Sequence, residues 1–226
     1  MTPGPQARGP KAREALGRAP KRGVPPTPKL RVAPSPTRER LLQAARELIE
    51  EGGYGGASVI AIAQRAGVAA GTLYRHFASK EELFVELFGS VCGHEERATR
   101  AAAQTLPASA MAVDRIETIL STFARRALSN PRLAWALIAE PVDPLVDAHR
   151  LAYRERYARV IAEGLRAGIE AGELPEQNVA FTAAALVGGC GEALVGPLSP
   201  LAADQPPVEE ILAALRTFTA RAVGAP

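Results

Sequence analysis

The chain has 226 residues, of which 47% are hydrophobic and 23% charged, with a formal net charge of +3. This length is enough for one or two domains with a real hydrophobic core. Only two cysteines occur, Cys92 and Cys190, which excludes a disulfide framework and a cysteine-rich zinc site and favours a cytoplasmic location. No apolar run reaches the ~18 residues of a membrane-spanning helix, so we expect no membrane partner.

The N-terminal 36 residues hold the excess of positive charge. This segment has eight basic residues, one acid and nine prolines. Because it contains almost nothing to bury, we predict that residues 1–36 form a disordered tail. Two interpretations stay open, a basic arm attracted to DNA phosphates and a solvated extension without a role.

After the tail, apolar residues recur at helical spacing and predict four helices. The glycine pair 52–53 ends the first helix, and Ser58 begins the second as its N-cap. Gly67 supplies a turn into a third short helix over about 69–75, and Ser79 opens the fourth.

Five further helices follow in the C-terminal part of the chain. Asn130 and Pro131 are typical of the N-cap and first position of a helix. A long helix ends at Gly172, and two more cover about 177–195 and 207–222. No stretch shows the alternation of a strand with turn signals, so we predict an all-α protein of about nine helices.

The stretch SVIAIAQRAGVAAGTLYRHFASK, residues 58–80, predicts a helix-turn-helix whose second helix enters the major groove of DNA. Two helix N-termini lie near that helix, at Ser58 and Ser79, and such ends attract phosphate through their dipole and free N–H groups. The side chains on the groove face are small. They can touch a thymine methyl group, and Thr72 can also hydrogen-bond a base.

From about Thr37 to Phe88 the sequence resembles, without a gap, the DNA-binding domain of the TetR family of bacterial regulators, and GVAAGTLYRHFASKEEL is the most diagnostic part. The C-terminal half is similar to that family only in helix count and length. The resemblance implies a sequence-specific transcriptional regulator, usually a repressor, that a small-molecule effector releases from its operator. We therefore expect the tail to be followed by a DNA-binding domain over 37–88 and a ligand-binding and dimerisation domain over 89–226.

The resemblance also implies roles for individual residues. The family's phosphate-contacting positions match Ser58, Tyr74, His76 and Lys80. Its base-reading positions match Ala69, Ala70, Gly71, Thr72 and Arg75. Many members have serine and a basic or polar residue where this chain has the two alanines, so direct base reading is expected to be sparse and DNA shape to carry more of the selectivity. Sparse reading leaves an alternative open, a ligand-sensing or protein-interaction module that has lost DNA binding.

Side chains at helical spacing in the C-terminal part predict either core packing or an apolar cavity for an apolar or aromatic effector. These residues are Phe123, Trp135, His149, Tyr153 and Tyr157. The last two helices carry a small-residue face and an apolar stripe, which predict a homodimer interface of four helices. The interface candidates are Phe181, Ala185, Gly188, Ile211, Leu215 and Phe218. No catalytic signature is present, and we predict no enzyme activity, cofactor or metal site.

Overall fold

The computed structural model describes residues 35–202 and 206–225, so the predicted tail lies outside the described part of the chain except for its last two residues. The described residues form nine helices and no strand, which confirms the predicted all-α architecture. The helices are α1 (Pro36–Gly56), α2 (Val59–Arg65), α3 (Ala70–His76), α4 (Lys80–Gln104), α5 (Ala112–Ser129), α6 (Pro131–Ile138), α7 (Pro144–Glu170), α8 (Val179–Leu198) and α9 (Val208–Val223).

Helix α1 begins within the segment that was predicted to be disordered. Ser35 is its N-cap, with the hydroxyl oxygen accepting from the backbone N–H of Arg38 at 3.2 Å, and Pro36 occupies the first helical position. The tail prediction is therefore wrong for these two residues, because a serine followed by proline also forms a good helix start.

The regular part of α1 ends at Gly53, where the chain turns away. This residue has φ +76° and ψ −178°, a backbone conformation open almost only to glycine. A Cβ atom there would lie 2.7 Å from a carboxylate oxygen of Glu140, which packs against the turn. The position therefore needs glycine both for its backbone and for the close approach of Glu140.

Buried side chains form two clusters. The first joins α1 to α3 with the beginning of α4, and its fully buried members include Leu41, Leu73 and Phe84. The second joins α5, α7, α8 and α9 around residues such as Ile161 and Leu186. Burial of apolar area at about 25 cal/mol per Å² is the main stabilising contribution in each.

Helices α4 and α6 connect the two clusters. Leu133 and Ala136 of α6 belong to the first cluster, while Ala134 of the same helix belongs to the second. The predicted boundary between 37–88 and 89–226 falls inside α4, which continues without interruption to Gln104. A displacement of either helix therefore changes the packing of both clusters.

Helix α8 is 20 residues long and reaches a mean hydropathy of 1.6, enough by length and composition alone to cross a membrane. Glu192 interrupts its apolar run, so no uninterrupted run reaches 18 residues, but the mean hydropathy of the helix stays high despite this one charge. Only 22% of its most apolar window is buried within the described chain. Its exposed residues are mostly alanine and glycine, with Phe181 and Glu192 among them.

Replacing Gly53 by alanine is expected to lower the free energy of unfolding by about 1–3 kcal/mol, because the added Cβ meets both an unfavourable backbone conformation and Glu140. Gly52→Ala is the matched control. A methyl group on that neighbour would have no other atom within 4 Å, and alanine there favours the helix. Urea unfolding followed by circular dichroism compares the two variants, and equal midpoints would contradict the assignment.

Candidate nucleic-acid interface and interior cavity

Helices α2 and α3 pack against each other through a tight turn. Gly67 has φ +67°, and the next residue, Val68, donates its backbone N–H to the carbonyl of Ala63 at 3.0 Å. Ala63 and Leu73 are buried between the helices. Because only the inner side of α3 is buried, its outer side is open to a partner.

The five residues matched to base reading lie on or at the start of α3. Ala69 is the N-cap, and Ala70, Gly71 and Arg75 are exposed, while Thr72 is half-buried. The outer face thus carries two side chains that can hydrogen-bond a base edge, a hydroxyl and a guanidinium. The remaining positions offer only close approach of the backbone and methyl contact.

The residues matched to phosphate contact flank this face. Ser58 caps α2, and its hydroxyl oxygen accepts from the backbone N–H of Ala61 at 3.1 Å, which leaves the hydroxyl proton available to a ligand. Tyr74 is 58% exposed, so its phenol can reach a partner. His76 is half-buried at the last position of α3.

Lys80, the first residue of α4, is held in place by two aromatic rings. Its Nζ lies 4.8 Å from the ring centroid of Tyr54 and 5.2 Å from that of Phe84. The two rings contact each other with centroids 4.5 Å apart. Cation–π attraction orders a side chain that would otherwise lose its conformational freedom on binding an anion.

Arg38, a cation of α1 with only 8% of its surface exposed, was not among the predicted site residues. Its guanidinium donates to both carboxylate oxygens of Glu86 on α4, with Nε 3.1 Å from Oε1. It also donates to the backbone carbonyl of His76, at the end of α3, and stacks 4.1 Å from the ring centroid of Phe77. Arg38 therefore joins α1, the end of α3 and α4 through one side chain.

Glu140, in the connection between α6 and α7, was not predicted either. Its carboxylate accepts from the backbone N–H of Tyr54 at 2.9 Å and from that of Gly55 at 3.4 Å. Its own backbone carbonyl accepts from a guanidinium nitrogen of Arg150, on α7, at 2.9 Å. One residue thus connects the segment that precedes α2 with the interior of the C-terminal helices.

A cavity of about 740 Å³ lies among α1, α4, α5, α6, α7 and α8. Of the predicted pocket residues, Phe123, Tyr153 and Tyr157 line it, and the rings of Phe123 and Tyr157 lie 5.4 Å apart. Trp135 and His149 do not, so the pocket prediction fails at these two positions. Trp135 packs against the second buried cluster, and the inward position beside His149 is taken by Arg150.

Several polar groups on the cavity wall were not predicted. Arg126 donates to Glu95, with one nitrogen–oxygen distance of 2.9 Å, and both residues line the cavity. The hydroxyl of Tyr157 is buried and has no hydrogen-bond partner among the described residues. Burial raises the pKa of that phenol well above its ordinary value, so it stays protonated and can donate.

The two cysteines also line the cavity. Burial raises the pKa of each thiol to about 12, for Cys92 and for Cys190 alike. Both are therefore protonated near neutral pH and behave as small apolar groups. Among the residues that the structure describes, no group of three or more histidine, cysteine, aspartate or glutamate side chains is placed to hold a metal ion.

The predicted dimer residues divide into two sets. Phe181 is 72% exposed and Phe218 41% exposed, and Ala185 and Gly188 are exposed between them in chain order. Leu215 is buried and packs in the second cluster, so its assignment to an interface was wrong. Ile211 is half-buried against the same cluster, because this side of α9 faces the protomer's own core.

Known proteins resemble the chain in both sequence and fold. A family model described as "Bacterial regulatory proteins, tetR family" matches residues 41–87. The HTH-type transcriptional regulator UidR of Escherichia coli K12 is 30% identical over 154 residues, 67% of this chain and 76% of that protein. The HTH-type transcriptional repressor KstR of Mycobacterium tuberculosis is 34% identical over 100 residues, 44% of each. The crystal structure of FadR from Bacillus subtilis in complex with stearoyl-CoA superposes with a TM-score of 0.67 at 22% identity, covering 82% of this chain and 97% of that one.

Replacing Arg38 by methionine is expected to lower the free energy of unfolding by about 2–3 kcal/mol, since the carbonyl of His76 and the carboxylate of Glu86 lose their partner. DNA affinity should fall further than the folded fraction alone explains, because the end of α3 is no longer held. Arg40→Met is the control, an exposed arginine two residues away whose side chain makes one long contact to Thr37. Equal unfolding midpoints and equal DNA affinities for the two variants would contradict this role of Arg38.

Proposed function

Because the chain belongs to the TetR family of bacterial regulatory proteins and is a transcriptional regulator, we propose that it binds an operator as a homodimer and leaves it when a small-molecule effector occupies the C-terminal cavity. The observation that carries this proposal is the open outer face of α3, which has small side chains at its centre and hydrogen-bond donors around it. A face of this shape allows the helix to lie deep in a major groove.

The donors around α3 are proposed to hold the phosphate backbone, and the face itself to read bases. The proposed phosphate contacts are Ser58, Tyr74, His76 and Lys80. The proposed base-reading residues are Ala69, Ala70, Gly71, Thr72 and Arg75. Phosphate contacts fix register and supply most of the salt-dependent affinity, whereas only base-edge contacts carry direct sequence information. With Thr72 and Arg75 as the only hydrogen-bonding readers in the set, the rest of the selectivity is assigned to DNA shape.

The uncovered side of α8 and the outer edge of α9 are proposed to pair with a second copy of the chain. Phe181, Ala185, Gly188 and Phe218 supply this face, together with the small residues that border Phe218, such as Ala214 and Ala222. A two-fold axis through it gives an isologous bundle of four helices. The dimer would place its two α3 helices about 34–36 Å apart, the separation of successive major grooves.

The cavity, which is lined mostly by residues of 89–226, is proposed as the effector site. Repression is proposed as the activity of the dimer without effector. The name of KstR, a transcriptional repressor, supports repression, and the structure of FadR in complex with stearoyl-CoA supports a small-molecule effector. The effector must bind the released conformation better than the DNA-bound one, and linkage then requires operator DNA to weaken effector binding by the same factor.

The same dimer accounts for the apolar surface of α8. In the dimer, the partner's helices cover this apolar surface, so it does not need to contact lipid. We therefore propose a cytoplasmic regulator without a membrane partner, in agreement with relatives that are bacterial transcriptional regulators.

Changing Lys80 to glutamine is expected to weaken binding to all duplexes by a similar factor and to reduce the slope of log affinity against log salt by about 1. Thr72→Val should instead alter the order of preference among duplexes, because it removes a hydroxyl while conserving shape. Fluorescence anisotropy over a range of salt concentrations, with a fragment selected by the purified protein and mutated versions of it, measures both effects.

Arg166→Gln, a change of the same charge on the exposed side of α7, is the control and should leave the slope unaltered. If Lys80→Gln changed preference among duplexes while its salt slope equalled that of the wild type, the phosphate assignment would be wrong. Wild-type protein that bound no duplex at low salt would remove the DNA-binding proposal itself.

Phe181→Asp is expected to raise the dimer dissociation constant by at least about 100-fold, since a two-fold interface loses two buried phenyl groups and gains two charges. Leu201→Asp is the matched control, because Leu201 is 91% exposed and lies after the end of α8. Sedimentation velocity over a concentration series distinguishes them. A dimer equally stable in both variants would place the interface elsewhere.

A further inference from the structure

We propose that Arg150 is the recognition point for the effector and that it selects a ligand with a carboxylate at one end of an apolar body. This inference rests on the proposed function of the cavity and specifies its ligand. Arg150 lies on α7, and its side chain is only 12% exposed. An always-charged, largely buried guanidinium on the wall of a partly open cavity needs partners for its donors, and a ligand carboxylate is a suitable one.

The hydrogen bonds of Arg150 account for most of its donors but not all. One terminal nitrogen bonds to Asp147 at 3.1 Å, and the other bonds to the backbone carbonyls of Ala136 at 3.0 Å and Glu140 at 2.9 Å. The Nε atom is buried and has no partner among the described residues. Burial also lowers the pKa of Arg150, a sign that its charge is incompletely compensated.

The charges around the cavity favour an anion. Its lining includes five arginines and two glutamates. The arginines are Arg46, Arg97, Arg126, Arg150 and Arg154, and the glutamates are Glu39 and Glu95. Arg126 is paired with Glu95, Arg46 with Glu50 and Arg150 with Asp147. The positive excess of the lining therefore rests on Arg97 and Arg154, which form no ion pair among the described residues. A cationic ligand would add to this excess in a region partly shielded from water, where charge repulsion is strong.

The inner face of α7 gives the cavity a polar end and an apolar end. Arg150, Tyr153, Tyr157 and Ile161 line it at helical spacing. Ile161 lies eleven positions after Arg150, which corresponds to about 16 Å along the helix axis. The wall around Ile161 is apolar and includes Ile119 and Leu120. A carboxylate at Arg150 thus places the rest of an elongated ligand among apolar side chains.

The position of Arg150 also connects recognition with release. Its two carbonyl acceptors, Ala136 and Glu140, lie at the end of α6 and just after it. Glu140 in turn accepts from the backbone of Tyr54, whose ring supports Lys80. A carboxylate that draws the guanidinium toward the cavity weakens its hold on these carbonyls. The effect then reaches the segment before α2 through these hydrogen bonds, in addition to any shift of α6 within the buried clusters.

Titration calorimetry of the full chain with dodecanoate, dodecan-1-ol and dodecylamine tests the proposal, with the two ionic ligands below their micelle concentrations and the alcohol below its solubility limit. The wild type is expected to bind dodecanoate at least tenfold more tightly than the alcohol and to bind the amine most weakly. Arg150→Gln should bind dodecanoate and the alcohol equally. Arg150→Lys keeps a cation and should retain part of the preference, and unchanged affinity for the alcohol in either variant shows that the cavity is intact.

Arg159→Gln, an exposed arginine on the same helix that is absent from the cavity wall, should keep the wild-type ratio. Equal affinities of the wild type for acid and alcohol, no binding of the acid, or a preference that survives in Arg150→Gln would each overturn the proposal. Operator binding is measured separately. A carboxylate preference without operator binding would defeat the proposed function and leave this inference standing. Operator binding without the carboxylate preference would defeat this inference and leave the DNA-binding proposal standing.

Discussion

The buried guanidinium of Arg38 determines where α3 points. A helix of seven residues is too short to be stable alone, so its position depends on what holds its ends. The turn at Gly67 positions its beginning. Its end is fixed because Arg38 donates to the carbonyl of His76, pairs with Glu86 and covers the ring of Phe77. The open face of α3 is therefore oriented by contacts on the opposite side of the helix.

The two functional regions share structural elements, and this sharing gives coupling between them a physical basis. Helix α6 contributes to both buried clusters, and Glu140 lies two residues after its end. The cavity reaches α1 as well, through Leu42 and Arg46. Packed interiors respond to a new occupant by shifting whole elements, because they contain little free space. The hydrogen bonds from Arg150 to Glu140 and from Tyr54 to Glu140 give such a shift a defined route.

Helix spacing, caps and the helix-turn-helix could be predicted from sequence because each depends on neighbours close in the chain. Ser58 and Gly67 are examples, since a cap and a turn need only local geometry. Arg38 and Glu140 could not be predicted, because the partners of their charged side chains lie 38 or more residues away and charged residues are usually exposed. The pocket prediction was right for Phe123, Tyr153 and Tyr157 but chose His149 over Arg150, since apolar periodicity does not indicate which charged neighbour turns inward. On α9, the dimer prediction could not distinguish the apolar stripe that packs within the protomer from the edge that stays exposed at Phe218.

The alanines and glycine at the start of α3 have a consequence for how such a regulator diverges. Residues 69–71 make no side-chain contact that the fold requires, and they are exposed. In the proposed complex with DNA, a single substitution to asparagine, glutamine or arginine at either alanine could add a bidentate contact to one base pair, worth about 1–3 kcal/mol of discrimination. The backbone grip from the surrounding donors would persist through the change. If α3 reads DNA as proposed, a single amino-acid replacement at these positions would be enough to change the preferred target sequence while the proposed phosphate contacts are kept.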